Sequence, residues 1–209
     1  MSEERMDALF APIYDENWGT VIAATHQQFF DRFLKLSTPH GMVLDAACGT
    51  GKYWPLLLEA GRSIFGIDQS QGMLRVAQHK HPAVPVEKIG LQEMSYREAF
   101  DDAICMDAME FIFPEDWPLV LANLTRALKP AGMLYFTVEI AQEADLQNAY
   151  DAGRQLGLPV VYGEWAHEGG YHYYPDMEQV REWVSVAQFH FLEETVGDEY
   201  NHFLVQKQL

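Results

Sequence analysis

The stretch Val43-Leu44-Asp45-Ala46-Ala47-Cys48-Gly49-Thr50-Gly51-Lys52 decides the fold. An apolar run leads directly into a turn of small residues, and a helical pattern opens at Tyr53. Small side chains at 46, 47, 49 and 51 let the backbone turn sharply and let a ligand approach it closely. A second apolar run, Ser63-Ile64-Phe65-Gly66-Ile67, ends in Asp68, seventeen residues beyond Gly51. An acid at the tip of the second strand can accept hydrogen bonds from both hydroxyls of a ribose. In an open sheet, ligands lie at the carboxyl ends of the strands where the strand order reverses, so both features address one crevice.

Outward from this stretch, residues 42–138 alternate short apolar runs with helical patterns. Residues 42–44, 63–67, 84–89, 103–106 and 133–136 are apolar without strict alternation, as expected of strands covered on both faces. Between them, 53–60, 70–80 and 117–128 read as helices, the last with Trp117, Val120, Leu121, Leu124 and Leu128 on one face. Ser70 is placed to cap the second helix, and Lys129-Pro130 with Gly132 stops the third. Such alternation implies right-handed crossovers and a parallel sheet with helices on both sides. Residues 1–40 read as helical, with Phe29, Phe30, Phe33 and Leu34 on an apolar face behind Phe10, Tyr14 and Trp18. Residues 157–175 are rich in Gly, Pro and aromatics, 176–187 resume a helix, and 189–192 with 200–205 alternate as two edge strands. With no linker or repeat, the 209 residues read as one domain.

Composition closes other doors. Hydrophobic residues at 48% and charged residues at 22% describe a globule with a core. The net charge of −17 repels phosphate backbones and anionic lipid, which argues against nucleic-acid and membrane partners. Cys48 sits in the small-residue turn and Cys105 in an apolar run, which is not a disulfide framework. The start lacks the basic-then-apolar order of a signal peptide, so a cytoplasmic location is expected.

Three nucleoside-binding readings compete at the turn. A P-loop needs Gly at 46 and Ser or Thr at 53, where the chain has Ala46 and Tyr53. A dinucleotide site wants Gly-x-Gly-x-x-Gly, of which only Gly49-Thr50-Gly51 is present, and Asp45 would repel a pyrophosphate. A carboxylate there suits a nucleoside with a cationic amino-acid tail.

Residues 43–51 resemble the first motif of class I S-adenosylmethionine-dependent methyltransferases of the small-molecule, type 11 kind. Phe65-Gly66-Ile67-Asp68-Gln69-Ser70 with Gly72-Met73-Leu74 resembles the second motif, and 100–110 the fourth strand and its loop. The likeness is good over about 40–140 and looser in the tail. It implies a Rossmann-like seven-stranded α/β sheet, mostly parallel with an antiparallel last strand and helices on both faces. It divides the chain into a helical cap (1–40), a cofactor-binding core (41–140) and an acceptor-site insertion (157–175).

For the cofactor S-adenosyl-L-methionine, the resemblance implies that Asp45 orients the methionine amino group and that Ala47, Gly49 and Gly51 shape the loop. It assigns the ribose to Asp68, its flanks and the adenine to Gln69 and Met73, and the adenine edge to Leu91 and Gln92. Met106 would lie near the methionine tail and Tyr14 would close over it. Departures are Ala47 for a common Gly, Leu91 for a common Asp, and Phe111 where many relatives carry a His. Tyr171 and His172 sit where the family builds its acceptor pocket and are the catalytic candidates, a His there being able to act as a base near neutral pH. Glu110 either faces the acceptor or caps a helix start. No metal site is expected: His167-Glu168-Gly169-Gly170 begins like a zinc-protease helix but lacks the second His. The expected function is methyl transfer to a small-molecule acceptor at O, N or C. A non-catalytic binder of S-adenosylmethionine or S-adenosylhomocysteine, and less so a nicotinamide-dependent oxidoreductase, are the alternatives.

Overall fold

A computed structural model describes residues 11–17, 21–167 and 170–209. Five strands run parallel in the central sheet: β1 (Met42–Ala46), β2 (Ser63–Asp68), β3 (Val86–Lys88), β4 (Asp102–Cys105) and β5 (Met133–Glu139). A hairpin, β6 (Glu164–His167) and β7 (Gly170–Tyr173), stands apart as a second, two-stranded sheet. The chain ends in β8 (Phe189–Gly197) and β9 (Tyr200–Lys207), and the main sheet has the order β3-β2-β1-β4-β5-β9-β8. The last strand, β9, is antiparallel to both of its neighbours. Paired on both sides, it lies inside the sheet, so of the two strands that the alternating pattern places at an edge, only β8 lies there, and the two form a hairpin. The order reverses between β1 and β4, which places a crevice at their carboxyl ends.

Helices α1 (Tyr14–Asn17), α2 (Ala24–Leu36), α3 (Trp54–Glu59), α4 (Gln71–Lys80), α5 (Trp117–Ala127), α6 (Glu143–Gln155) and α7 (Met177–Val186) complete the described elements. Two cores form because β1 alternates. Val43 faces Phe29, Phe30 and Phe33 of α2, Trp54 and Leu57 of α3 and Leu74 of α4, whereas Leu44 faces Trp117, Val120 and Leu121 of α5 and Val184 of α7. Ser70 caps α4, its Oγ accepting the Met73 amide at 3.1 Å, and Asp176 caps α7 in the same way from Glu178. The segment 84–89 forms a strand only over Val86–Lys88. Among the described residues, no helix is long and apolar enough to cross a membrane.

Candidate functional site

The turn after β1 is built on left-handed backbone. Ala47, Gly49 and Gly51 have φ of 62°, 52° and 75°, a conformation that is costly for Ala and not for Gly. A Cβ on Gly49 would meet nothing within 4 Å, so this turn opens outward. Asp68 at the end of β2 fixes it: Oδ2 accepts the Gly49 amide and Oδ1 the Ser70 amide, both at 2.8 Å. The two strand ends are thereby tied together by the acid expected to hold a ribose.

Asp45 differs from the expectation in its setting. It is 2% exposed, on the face of β1 that packs on α3, and its Oδ2 accepts the Trp54 indole N–H at 2.7 Å. Burial pushes its pKa up to about 7; the Trp54 hydrogen bond pulls the other way and the nearby Asp68 and Asp107 carboxylates add to the rise. It is enclosed beneath the turn rather than aimed across it.

Asp107, two residues beyond β4, supplies the ionised carboxylate at this place. The Tyr53 hydroxyl donates to its Oδ2 at 2.9 Å and the Thr137 hydroxyl to its Oδ1 at 3.2 Å, while His26 Nε2 lies 3.1 Å from Oδ1. Lys52 Nζ stands 3.9 Å away. Burial opposes its charge, but His26, Lys52 and Tyr53 outweigh burial and hold the carboxyl below its usual range. His26 continues the network to the far side, 3.7 Å from Asp198 in the β8–β9 turn, so α2 is clamped between two acids. The rule that found Asp68, an acid just past a strand's carboxyl end, would have found Asp107 as well.

The N-terminal segment closes over the turn. Asp15 accepts from Thr50 and Lys80, and Lys80 and Thr50 hold its carboxyl low although burial opposes them. Tyr14 stands beside it; burial, followed by Asp107, Glu110, Asp68 and Asp15, pushes its phenol up to about 12, so its hydroxyl shares the acidic end of the crevice. Phe10 and Trp18, the other aromatics expected there, lie outside the described residues, as do Glu168 and Gly169.

The remaining expected residues divide into two groups. Gln69 is exposed, Met73 is half-buried at the start of α4, and Met106 is buried at the end of β4. Leu91 is buried in the core, and the carbonyls of Leu91 and Gln92 accept the Asn123 side-chain amide at 3.0 Å, which fixes that loop on α5. Gln92 also donates to Asp116. The hairpin lies over the turn that follows β4: the Tyr171 ring packs on Phe113 at 4.4 Å and the His172 ring on Phe111 at 4.9 Å. The Tyr171 hydroxyl donates to Glu164 on the partner strand at 2.9 Å, and burial together with that bond raises its pKa well above the ordinary value. The Tyr171 phenol thus braces the hairpin. His172 is half-buried against Phe111. Among the described residues, no three His, Cys, Asp or Glu side chains are grouped to hold a metal ion.

Residues 43–132 match the family model described as a methyltransferase domain. The chain is 29% identical over 136 residues to a malonyl-[acyl-carrier protein] O-methyltransferase of Serratia marcescens, covering 64% of this chain and 52% of that protein. It is 34% identical over 136 residues to the Bacillus subtilis methyltransferase YqeM, covering 62% of this chain and 53% of that protein. The chain thus spans about half the length of these two relatives. The crystal structure of a Synechocystis magnesium protoporphyrin IX methyltransferase with bound SAH superposes with a TM-score of 0.70 at 17% identity, over 99% of this chain and 97% of that one.

Proposed function

We propose that this chain, whose residues 43–132 match a methyltransferase domain, transfers a methyl group from S-adenosylmethionine to a small-molecule acceptor. The observation that carries this reading is Asp68, held by the Gly49 and Ser70 amides at the end of β2 beside a turn that opens outward at Gly49. These residues suit a nucleoside: the carboxylate would take a ribose, and among the described residues nothing lies within 4 Å of a Cβ placed on Gly49.

S-adenosylmethionine, when bound, supplies an electrophilic methyl and its own leaving group. The protein's residues have alignment to provide, which is worth about 7–11 kcal/mol in favourable cases. Asp68 would hold the ribose hydroxyls, and Met73 and Leu91 would border the base. Asp107, ionised and partly accessible, would draw the ammonium of the methionine tail, while Asp45 supports the turn from beneath. Tyr14 would close over the tail from α1. The hairpin would cover the acceptor, and His172 would take a proton where the acceptor has one to lose. A net charge of −17 favours acceptors that are not polyanions. The domain match, which is to methyltransferases, lends nothing to the nicotinamide alternative.

Calorimetry with S-adenosylhomocysteine and with NAD, on wild type and on Asp68→Asn, tests the reading. Wild type should bind the first and not the second, and the variant should bind about tenfold or more weakly, the loss of one charge-assisted hydrogen bond or more. Binding of NAD in place of S-adenosylhomocysteine would overturn it.

A further inference from the structure

One buried carboxyl beside the crevice is only partly bonded. Glu110 lies on the short 3₁₀ turn Met109–Phe111 that follows β4, is 2% exposed, and has an Oε2 without a hydrogen-bond partner among the described residues. Its surroundings are acidic and phenolic. The Asp107 and Glu139 carboxylates act on it, and it acts on the phenols of Tyr14 and Tyr200. The ammonium of Lys52 is directed at Asp107. Burial disfavours an ionised carboxyl and the Asp107 and Glu139 charges add to the effect, against the Glu110 and Glu139 backbone amides, so the carboxyl is held well above its usual range and its protonated form is favoured. A neutral carboxyl has one O–H to donate. A buried donor with no acceptor is unfavourable until a ligand completes it. A carboxylic acid kept neutral by its site, so that it donates to a substrate oxygen, has precedent in enzymes.

The position favours the acceptor over the nucleoside. Glu110 lies beyond Asp107 along the loop after β4, on the turn over which the hairpin packs. The adjoining Phe111 and Phe113 are 50% and 47% exposed and carry the hairpin rings of His172 and Tyr171, an apolar rim beside the buried acid. The Asp107 and Glu139 carboxylates at this end are hostile to a second anion.

We propose that Glu110 selects the methyl acceptor: its Oε2 donates a hydrogen bond to a lone-pair oxygen or ring nitrogen of an uncharged, flat acceptor, and carboxylated or phosphorylated acceptors are turned away. This inference rests on the methyltransferase reading.

The test uses S-adenosylhomocysteine-loaded protein at neutral pH, with naphthol, naphthoate and naphthyl phosphate as probes. The infrared difference between wild type and Glu110→Gln should show a carboxylic-acid C=O band that the variant lacks. Naphthol should shift that band in wild type, and the two anions should leave it unmoved. Calorimetric affinity for naphthol should fall about tenfold or more in Glu110→Leu and stay within about threefold in Glu110→Gln, whose amide still donates. Affinity for S-adenosylhomocysteine should be unchanged in both variants, which also reports that they fold. A missing band, a band that naphthol does not move, or naphthyl phosphate bound as well as naphthol overturns the proposal alone. Failure of wild type to bind S-adenosylhomocysteine overturns the methyltransferase reading and the proposal together.

Discussion

Trp54 donates its indole N–H to Asp45 across 2.7 Å, and its ring fills the space beside the two glycines that flank this bond. A Cβ on Gly51 would come within 2.7 Å of Trp54 Cδ2, and one on Gly66 within 2.6 Å of Cζ2. The indole thus serves as the floor of the turn, joining β1, β2 and α3 with one polar contact and two close approaches. The turn that faces the ligand is held rigid from below, and this rigidity is what alignment of a reacting pair requires.

Removing the donor should be worse than removing the acceptor. Trp54→Phe leaves the buried Asp45 carboxyl unpaired and opens a void, and should cost about 3–5 kcal/mol when read from the urea midpoint. Asp45→Asn keeps an acceptor for the indole and should cost less than about 1 kcal/mol at pH 7. Equal losses in the two variants would mean that the bond contributes nothing beyond packing.

The same pair makes stability depend on pH with a definite sign. The pKa of Asp45 rises from 3.8 to about 7 on folding, so the folded chain binds more protons than the unfolded one between those values. Unfolding free energy contributed by Asp45 is therefore greatest below about pH 4 and falls as pH rises towards 7, then levels off. Wild type minus Asp45→Asn should lose roughly 1–4 kcal/mol across that interval, taken from about 1.4 kcal/mol per pKa unit as an upper slope. A flat difference from acid to neutral pH, by denaturant titration, would contradict the raised value. Glu110→Gln should give a difference of the same sign, since burial raises that group too.

The two turn glycines should separate stability from binding. Gly51→Ala meets the Trp54 ring at a φ of 75° and should destabilise by about 2–4 kcal/mol, with overpacking added to strain. Gly49→Ala has open space for its methyl at a φ of 52° and should cost about 1–2 kcal/mol. That methyl projects into the room left for the ligand, so calorimetry should show Gly49→Ala weakening S-adenosylhomocysteine by more than its small stability loss suggests.

The sheet was legible because its signal is local. Apolar runs, small-residue turns and capped helices succeed one another, and Ser70, Asp68 and the β1 turn stand where that reading put them. Helix α6 was missed because Glu143–Gln155 buries only Leu146 and Gly153, too few apolar positions to mark a face. The hairpin β6–β7 was hidden in a segment whose glycines and aromatics read as irregular loop. Asp45 was recognised as an acid at a strand end, but its enclosure depends on Trp54, whose ring covers β2 as well as β1. The clamp on α2 was out of reach: His26 meets Asp107 across 81 residues and Asp198 across 172, and no spacing rule links such positions.

That clamp gives the sharpest prediction about the cofactor's tail. If Asp107 draws the methionine ammonium, its charge matters and that of Asp45 does not. Asp107→Asn should weaken S-adenosylhomocysteine by about tenfold or more, the measure of a lost charge-assisted hydrogen bond, whereas Asp45→Asn should change it by less than about threefold. Tyr53→Phe removes one bond to Asp107 while leaving His26 and Lys52 in place, and should sit between the two. Decarboxylated and deaminated forms of S-adenosylhomocysteine locate the contact. Loss of the amino group should reduce binding to wild type and leave Asp107→Asn nearly indifferent, whereas loss of the carboxylate should affect both alike. Were Asp45→Asn instead the variant that ceased to distinguish the deaminated ligand, the ammonium would belong to the enclosed acid, and the turn over Trp54 would have to open on binding.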